Sequence, residues 1–437
     1  MEKRVPVSLA AAECEGDAPL PRKLTLRANF LWTLAGNVVY AACQWGIIMV
    51  LAKLGSPELV GEFGLALAIT APVLIGASLS LRNVQATDTT GEYTLDHYLS
   101  LRVFTTAVAL LIIAGVSACY GGAPRLAATI FLVGLAKGFE SISDILFGHL
   151  QHREQMDRIA RSMIVKGILS LAAVALAIHF TGNLAAAAAG MAAVWAAMLF
   201  CYDAPVAARL LAGARPALRL LIPRWTPRVL WRLALLALPG GIVMMLISFS
   251  GNIPRYFIAG DLGTRDLGIF AALVYPMLAG STVIGALGQS ATPRLAQIYA
   301  RADRRAFGRL LGRMVLIGAV LGVLGVLVVW LAGAPILTLL YRPEYANHVH
   351  VFLWIAIATG LGYAASFLGY GMTAARYFRS QVPVFFVTLL VTAAACALLI
   401  PRYHLVGAAL AIVAATVVQA IGSAAVIWHA LAACKAK

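Results

Sequence analysis

Lys137, Glu140, Ser141 and Asp144 stand at i, i+3, i+4 and i+7 in a run that is otherwise apolar from residue 126 to 148. On an α-helix that spacing places all four on one face. Lys166 interrupts a second apolar region, and at ~1.5 Å of rise per residue it reaches a depth close to that of Glu140. Two readings fit these charges. They form a structural ion pair between neighbouring helices, or they wall a passage in which Glu140 and Asp144 take up a coupling ion while Lys137 and Lys166 attract an anion. Arg255 follows Pro254 in a segment loosened by Pro239-Gly240-Gly241 and Ser250-Gly251-Asn252, backbone breaks that tend to face protein or water. Its guanidinium either grips a phosphate-bearing anion through paired bonds or snorkels to lipid headgroups. Gln44 and Asn252 offer amides to a hydroxyl-rich solute or to neighbouring helices. Arg82 and Arg102 bracket residues 83–101, where they either meet an incoming anion or simply mark topology. His97, His149, His152, His348 and His350 show no shared ligand spacing, and the six cysteines are scattered without a CxxC pair, so neither metal nor cofactor is expected.

These residues must be positioned by elements that live in lipid. The chain has 437 residues, 61% of them apolar and 12% charged, a composition outside the range of soluble domains. Runs long enough to cross a bilayer as helices cover residues 28–52, 63–81, 103–124, 126–148, 233–254, 267–293, 314–341, 345–375, 380–401 and 403–434. The stretch 167–202 is too long for one crossing, and the turn chemistry of His179-Phe180-Thr181-Gly182-Asn183 divides it in two. Twelve spans result. With the N-terminus inside, only Lys53, Arg125, Arg265, Arg342 and Arg402 fall outside and Lys137, Lys166 and Arg255 within spans, leaving 26 of the 34 Lys and Arg residues on the cytoplasmic side. Both termini are therefore expected in the cytoplasm. The net charge of +16 is accounted for by this topology and by contact with anionic membrane lipids. Nucleic acid is not an expected partner, because the basic loops lack interleaved aromatics.

A proline- and arginine-rich connector at 209–228 divides the chain. The expected organisation is a disordered cytoplasmic tail at 1–24, a six-helix bundle at 25–208, the basic linker, and a second six-helix bundle at 229–437. Leu54-Gly-Ser-Pro-Glu-Leu-Val-Gly-Glu-Phe63 recurs as Leu262-Gly-Thr-Arg-Asp-Leu-Gly-Ile-Phe270, one residue shorter, between the first two spans of each half. At an offset of 208 Gln44 matches Asn252. An even number of spans separates the copies, so the repeat is parallel, about a pseudo-twofold axis along the membrane normal. The fold class is thus all-α and polytopic. Two such bundles leave a central cleft that rocking exposes to alternate sides.

The residues Asn29-Phe-Leu-Trp-Thr-Leu-Ala-Gly-Asn37, Tyr40, Gln44-Trp45, the stretch 54–73 and Leu81-Arg82, with Pro239-Gly-Gly241, Asn252-Ile-Pro-Arg-Tyr-Phe257 and Leu267-Gly-Ile-Phe-Ala-Ala272 in the second half, resemble polysaccharide biosynthesis proteins of the Wzx type. These belong to the multidrug/oligosaccharidyl-lipid/polysaccharide (MOP) superfamily. The resemblance implies a flippase that carries undecaprenyl-pyrophosphate-linked oligosaccharide across the bacterial inner membrane. The product would feed surface polysaccharide such as lipopolysaccharide, O-antigen or exopolysaccharide, with glycosyltransferases and a polymerase as pathway partners. It supplies no catalytic motif, so Arg255, Lys137, Lys166, Gln44, Asn252 and Arg82 are substrate-binding candidates, and Glu140 and Asp144 ion-coupling candidates, on chemistry alone. The nearest rival is a cation-coupled multidrug exporter of the same superfamily, which calls for acidic, aromatic pockets. A membrane-embedded enzyme of glycan assembly is a further alternative. It needs acid/base groups on the outer side, where Glu58, Glu62, Asp261, Asp266 and Glu344 are the acids.

Overall fold

The computed structural model describes residues 25–87, 92–212, 224–375 and 377–433, whose regular elements are all helical. The expected tail at 1–24, most of the basic linker (213–223) and Cys434 lie outside the described residues. In the first half, α1 (Leu26–Leu54), α2 (Pro57–Ser78), α4 (Leu95–Ala118), α5 (Pro124–His152), α6 (Met156–Thr181) and α7 (Leu184–Met198) are the long helices. A short α3 (Leu81–Thr87) follows α2, and α8 (Ala204–Ala212) prolongs α7. The second half contains α9 (Pro227–Asp261), α10 (Thr264–Ala300), α11 (Arg304–Leu340), a one-turn α12 (Pro343–Ala346), α13 (Val349–Ala374) and α14 (Phe378–Ala433).

Ten helices among the described residues are long and apolar enough to cross a membrane. The charged α5 adds a span. So does the doubling back of α14 at His404, whose φ of 51° and ψ of −131° break the helix. Its two limbs meet again where Gly422 lies against Val384. Twelve crossings follow, with both ends of the described chain on one face, called here the terminal face, opposite the distal face. Between α6 and α7 the chain turns at Gly182, which adopts φ 59°, a conformation open to glycine at little cost. Asn183 then caps α7, its Oδ1 accepting from the Ala185 N–H at 2.9 Å.

Several helices outrun the uncharged stretches that announce them. α4 begins at Leu95, capped by Thr94, so that residues 95–101, like 83–87 in α3, are helical. α9 runs unbroken through Pro239, the paired glycines and Pro254. Its glycines serve close packing instead, since a methyl on Gly241 would crowd Leu79 of the other half. Beside that contact Leu79 and Ser80 both take left-handed φ values, 50° and 51°, which bend the chain sharply between α2 and α3.

The packing repeats between halves. α1 lies on α6 as α9 lies on α14, α4 on α5 as α11 on α13, and α5 on α7 as α13 on α14. The halves meet where α2 crosses α10 near the distal face. There the repeat becomes a contact: a methyl on Gly61 would overlap the Thr264 carbonyl oxygen, and one on Gly268 would overlap the Pro57 carbonyl oxygen. Around this crossing, Lys53 Nζ donates to the Leu339 carbonyl at 2.8 Å and Arg342 Nη2 to the Lys53 carbonyl at 2.8 Å. Arg265 lies 3.7 Å from Glu58 and 3.2 Å from Glu344, and Trp45 Nε1 donates to the Tyr341 hydroxyl at 3.0 Å. The distal side is sealed.

Gly61→Ala and Gly268→Ala should each destabilise the purified protein by ~1–3 kcal/mol through overpacking, read as a lowered Tm. Gly64→Ala is the control: its methyl would sit at ordinary contact, 3.4 Å from Ala271 Cβ, and should leave Tm unchanged or raised. Equal effects at all three positions would contradict the crossing.

Candidate functional site

The charged face of α5 turns toward α1, α3, α4 and α6 and lines a cavity of about 370 Å³ in the terminal half of the first bundle. Arg82, Arg102, Lys137, Glu140, Asp144 and Lys166 all contribute to its wall. Two subsites are distinguishable. In the deeper one, Lys137 Nζ lies 2.8 Å from Glu140 Oε2, an i, i+3 pair that the helix itself enforces. The other carboxylate oxygen accepts a 2.6 Å bond from the Tyr40 hydroxyl across from α1, and the ammonium also sits 4.8 Å from the centroid of the Trp195 ring.

Nearer the terminal face, Asp144 is shared by two guanidiniums. Arg82 Nη1 reaches Oδ1 at 2.8 Å and Arg102 Nη2 reaches Oδ2 at 3.4 Å. Arg82 is held from behind by Gln151 Oε1, which accepts from its Nε at 3.2 Å and its Nη2 at 3.0 Å. Arg102 Nη1 donates to Ser141 Oγ at 3.2 Å, while its buried Nε has no partner among the described residues. Arg102 is only 1% exposed and Arg82 33%. The arrangement is therefore an undersaturated cation pair: more donors point into the cavity than one carboxylate satisfies.

Lys166 has a partner that the sequence did not disclose. Its Nζ lies 3.5 Å from Asp203 Oδ2, and both side chains are buried, 2% and 0% exposed. Ser143 and Ser162 donate to the same carboxylate at 2.7 and 2.6 Å, so its lone pairs are well used. A π-helical turn, Leu199–Asp203, inserts one extra residue between α7 and α8 and aims Asp203 inward. In the sequence Asp203 falls one residue past the uncharged stretch 167–202 and is not among the candidates. The available signal was the unpaired Lys166, which required a carboxylate at its own depth.

Gln44, Asn252 and Arg255 do not line this cavity. Gln44 is half-buried, and its Nε2 has no partner. Asn252 Nδ2 donates to the Ser248 carbonyl at 2.8 Å, and its Oδ1 accepts from Arg255 Nη1 at 2.9 Å. Arg255 thus sits half-buried toward the distal half of α9, bonded to an amide and not to a carboxylate. Counting Asp203 behind the wall, four bases face three acids, so the cavity carries an excess positive charge.

No protein-family model matches the chain. It is 27% identical over 384 residues to the capsular polysaccharide biosynthesis protein CapF of Staphylococcus aureus, covering 88% of this chain and 94% of that protein. Among solved structures, a multidrug resistance MATE family transporter of the MOP superfamily in its inward-facing conformation superposes with a TM-score of 0.72 at 11% identity, covering 93% of this chain and 99% of its own. The outward-facing conformation of such a transporter gives 0.61 at 14% identity, over 93% and 95%. The chain shares the fold of these MOP-superfamily structures. It is a multi-pass membrane protein with the superfamily's transporter fold, and within that fold the charged cavity falls in the first bundle.

Asp203→Ala should leave Lys166 buried and unpaired, costing about 3–5 kcal/mol. The expected result is loss of folded protein from the membrane and a lowered Tm after extraction. Adding Lys166→Met should recover most of the loss. Normal abundance and Tm for Asp203→Ala alone would show that the pair contributes nothing.

Proposed function

We propose that this protein is a MOP-superfamily transporter that carries undecaprenyl-pyrophosphate-linked oligosaccharide from the inner to the outer leaflet of the bacterial inner membrane by alternating access, in surface polysaccharide assembly. The observation that carries the reading is the sharing of Asp144 by Arg82 and Arg102. Two guanidiniums on one carboxylate are poised for a better anion, and a pyrophosphate offers several oxygens for bidentate, charge-assisted bonds. Lys137 and Lys166 add to the attraction from deeper in the cavity.

The concentration of Lys and Arg on the terminal face supports a cytoplasmic position for that face. The charged cavity then lies toward the side on which lipid-linked sugars are assembled, and the sealed distal face is periplasmic. The pyrophosphate would displace Asp144 from the arginines, the lipid tail staying in the bilayer. Rocking of the halves about the α2–α10 crossing would open the distal side, where Arg255, Asn252 and Gln44 line the later part of the route. Glu140 and Asp144 are the groups for a coupling ion: protonating Glu140 removes the partner of Lys137, and protonating Asp144 that of the two arginines. Glycosyltransferases supply such a substrate and a polymerase consumes it. A multidrug exporter for organic cations is disfavoured by the same site, because both carboxylates on the cavity wall are already engaged by bases and the excess charge repels a cation.

Deletion should abolish a surface polysaccharide and leave its lipid-linked repeat units accumulated in the inner leaflet. Plasmid-borne Arg82→Gln, Arg102→Gln or Lys137→Gln should restore less than a tenth of wild-type polymer at unchanged membrane abundance. Wild-type polymer in the deletion strain would refute the function. Full restoration by all three variants would refute the site.

A further inference from the structure

The second bundle holds a larger cavity, of about 590 Å³, between α9, α13 and α14. A further 260 Å³ between α10 and α13 adjoins it through Ser366, Tyr370, Ile412 and Thr416. The repeat places this space opposite the charged one. Residues 243–251 of α9 occupy the register of 35–43 in α1, which contains Tyr40. Ser281 to Gly285 of α10 occupy the register of Leu74 to Ser78 in α2. The two cavities are thus pseudo-twofold equivalents with opposite chemistry, since among the described residues no Asp, Glu, Lys or Arg lines the second.

Its walls carry hydroxyls, amides and aromatic rings. Thr388 and Ser366 each donate their proton to a carbonyl of their own helix at 2.8 Å, and Thr392 donates to the Thr388 carbonyl at 2.7 Å while accepting from Ser250 Oγ at 3.1 Å. The proton is used within the helix, so the oxygen keeps acceptor capacity for a solute. Gln381 spends one N–H on Thr373 at 3.2 Å and retains its carbonyl and a second N–H. Thr416 and Gln419 line the space with no hydrogen-bond partner among the described residues. Tyr370 and Phe385 present rings between these groups. Acceptors, amides with both polarities and aromatic faces, without formal charge, suit a ligand bearing many neutral hydroxyls.

We infer that the second-bundle cavity is the glycan compartment of the transporter, holding neutral sugar residues while the first-bundle cavity holds the pyrophosphate. The inference rests on the flippase reading and adds to it a division of labour: the duplicated cavity has diverged so that one headgroup spans the pseudo-twofold axis. Gln381 and Gln419 are specificity residues for sugar, remote from the arginines.

The test measures the binding of two probes to the full-length protein in detergent: bare undecaprenyl pyrophosphate, and the host's undecaprenyl-pyrophosphate-linked repeat unit. The native protein should bind the sugar-bearing lipid at least tenfold more tightly. Gln381→Leu with Gln419→Leu should remove most of that gain and leave the Kd for the bare lipid unchanged, which also reports an intact fold. Thr416→Val, equal in shape, should reduce the gain several-fold and keeps the test decisive if the double variant does not fold. Equal binding of the two lipids by the native protein, or a gain that survives the substitutions, overturns the inference and leaves the flippase standing. If neither lipid binds, both fall.

Discussion

A charged side chain at membrane depth costs several kcal/mol unless another charge, hydrogen bonds or water compensate it, and the first bundle is organised by that constraint. Lys137, Glu140 and Asp144 project from one face of α5, so this helix cannot turn that face to lipid. It becomes the centre of its bundle, with α2, α4 and α7 packed around it. The surrounding elements bring compensating groups: Tyr40 from α1, Arg82 from α3, Arg102 from α4, Lys166 from α6 and Asp203 from the π-turn after α7. Compensation is complete around Asp203 and incomplete around the arginines. That unevenness separates the two roles. The buried Lys166–Asp203 pair holds helices together at the edge of the cavity, whereas Arg82 and Arg102 share a single carboxylate on its wall.

The same duplication that built the scaffold allowed its halves to diverge. Gly61 and Gly268 are related by the repeat and occupied at the seam, each accepting the other helix's backbone at a distance that a side chain would prevent. That contact closes the distal side while the cavities stand in the terminal half. Small residues at a crossing let two helices lie close with little side-chain interlock, which suits a contact that would come apart and re-form in the proposed transport cycle. Away from the axis the halves no longer match: one cavity is ionic, the other neutral and rich in hydroxyls. A substrate with an anionic link between a lipid and a sugar has those two chemistries in its headgroup.

Much of this was legible in the sequence because lipid makes strong demands. The spans, the break at Gly182-Asn183, the shared face of Lys137, Glu140 and Asp144, and the repeat that contains Gly61 and Gly268 are all visible as patterns of charge, length or recurrence. What escaped depended on backbone geometry. Asp203 is brought inward by one inserted residue in a helical turn, which no periodicity announces. Arg102 reads as a flanking charge because helix α4 begins before the apolar run, at Leu95, and carries the arginine into the bundle. The second cavity escaped for a different reason: threonine, serine and glutamine within apolar helices usually satisfy themselves or a neighbour, so their convergence is seen only in three dimensions.

The central claim is that the charged cavity serves an anionic, lipid-linked glycan and not an organic cation. The most direct measurement reconstitutes the purified protein in liposomes and follows the undecaprenyl-pyrophosphate-linked repeat unit from one leaflet to the other, with an organic cation such as ethidium offered in parallel. The account predicts protein-dependent movement of the lipid-linked glycan that Arg82→Gln with Arg102→Gln abolishes, and no protein-dependent movement of the cation. Transport of the cation with an unmoved glycan would contradict it.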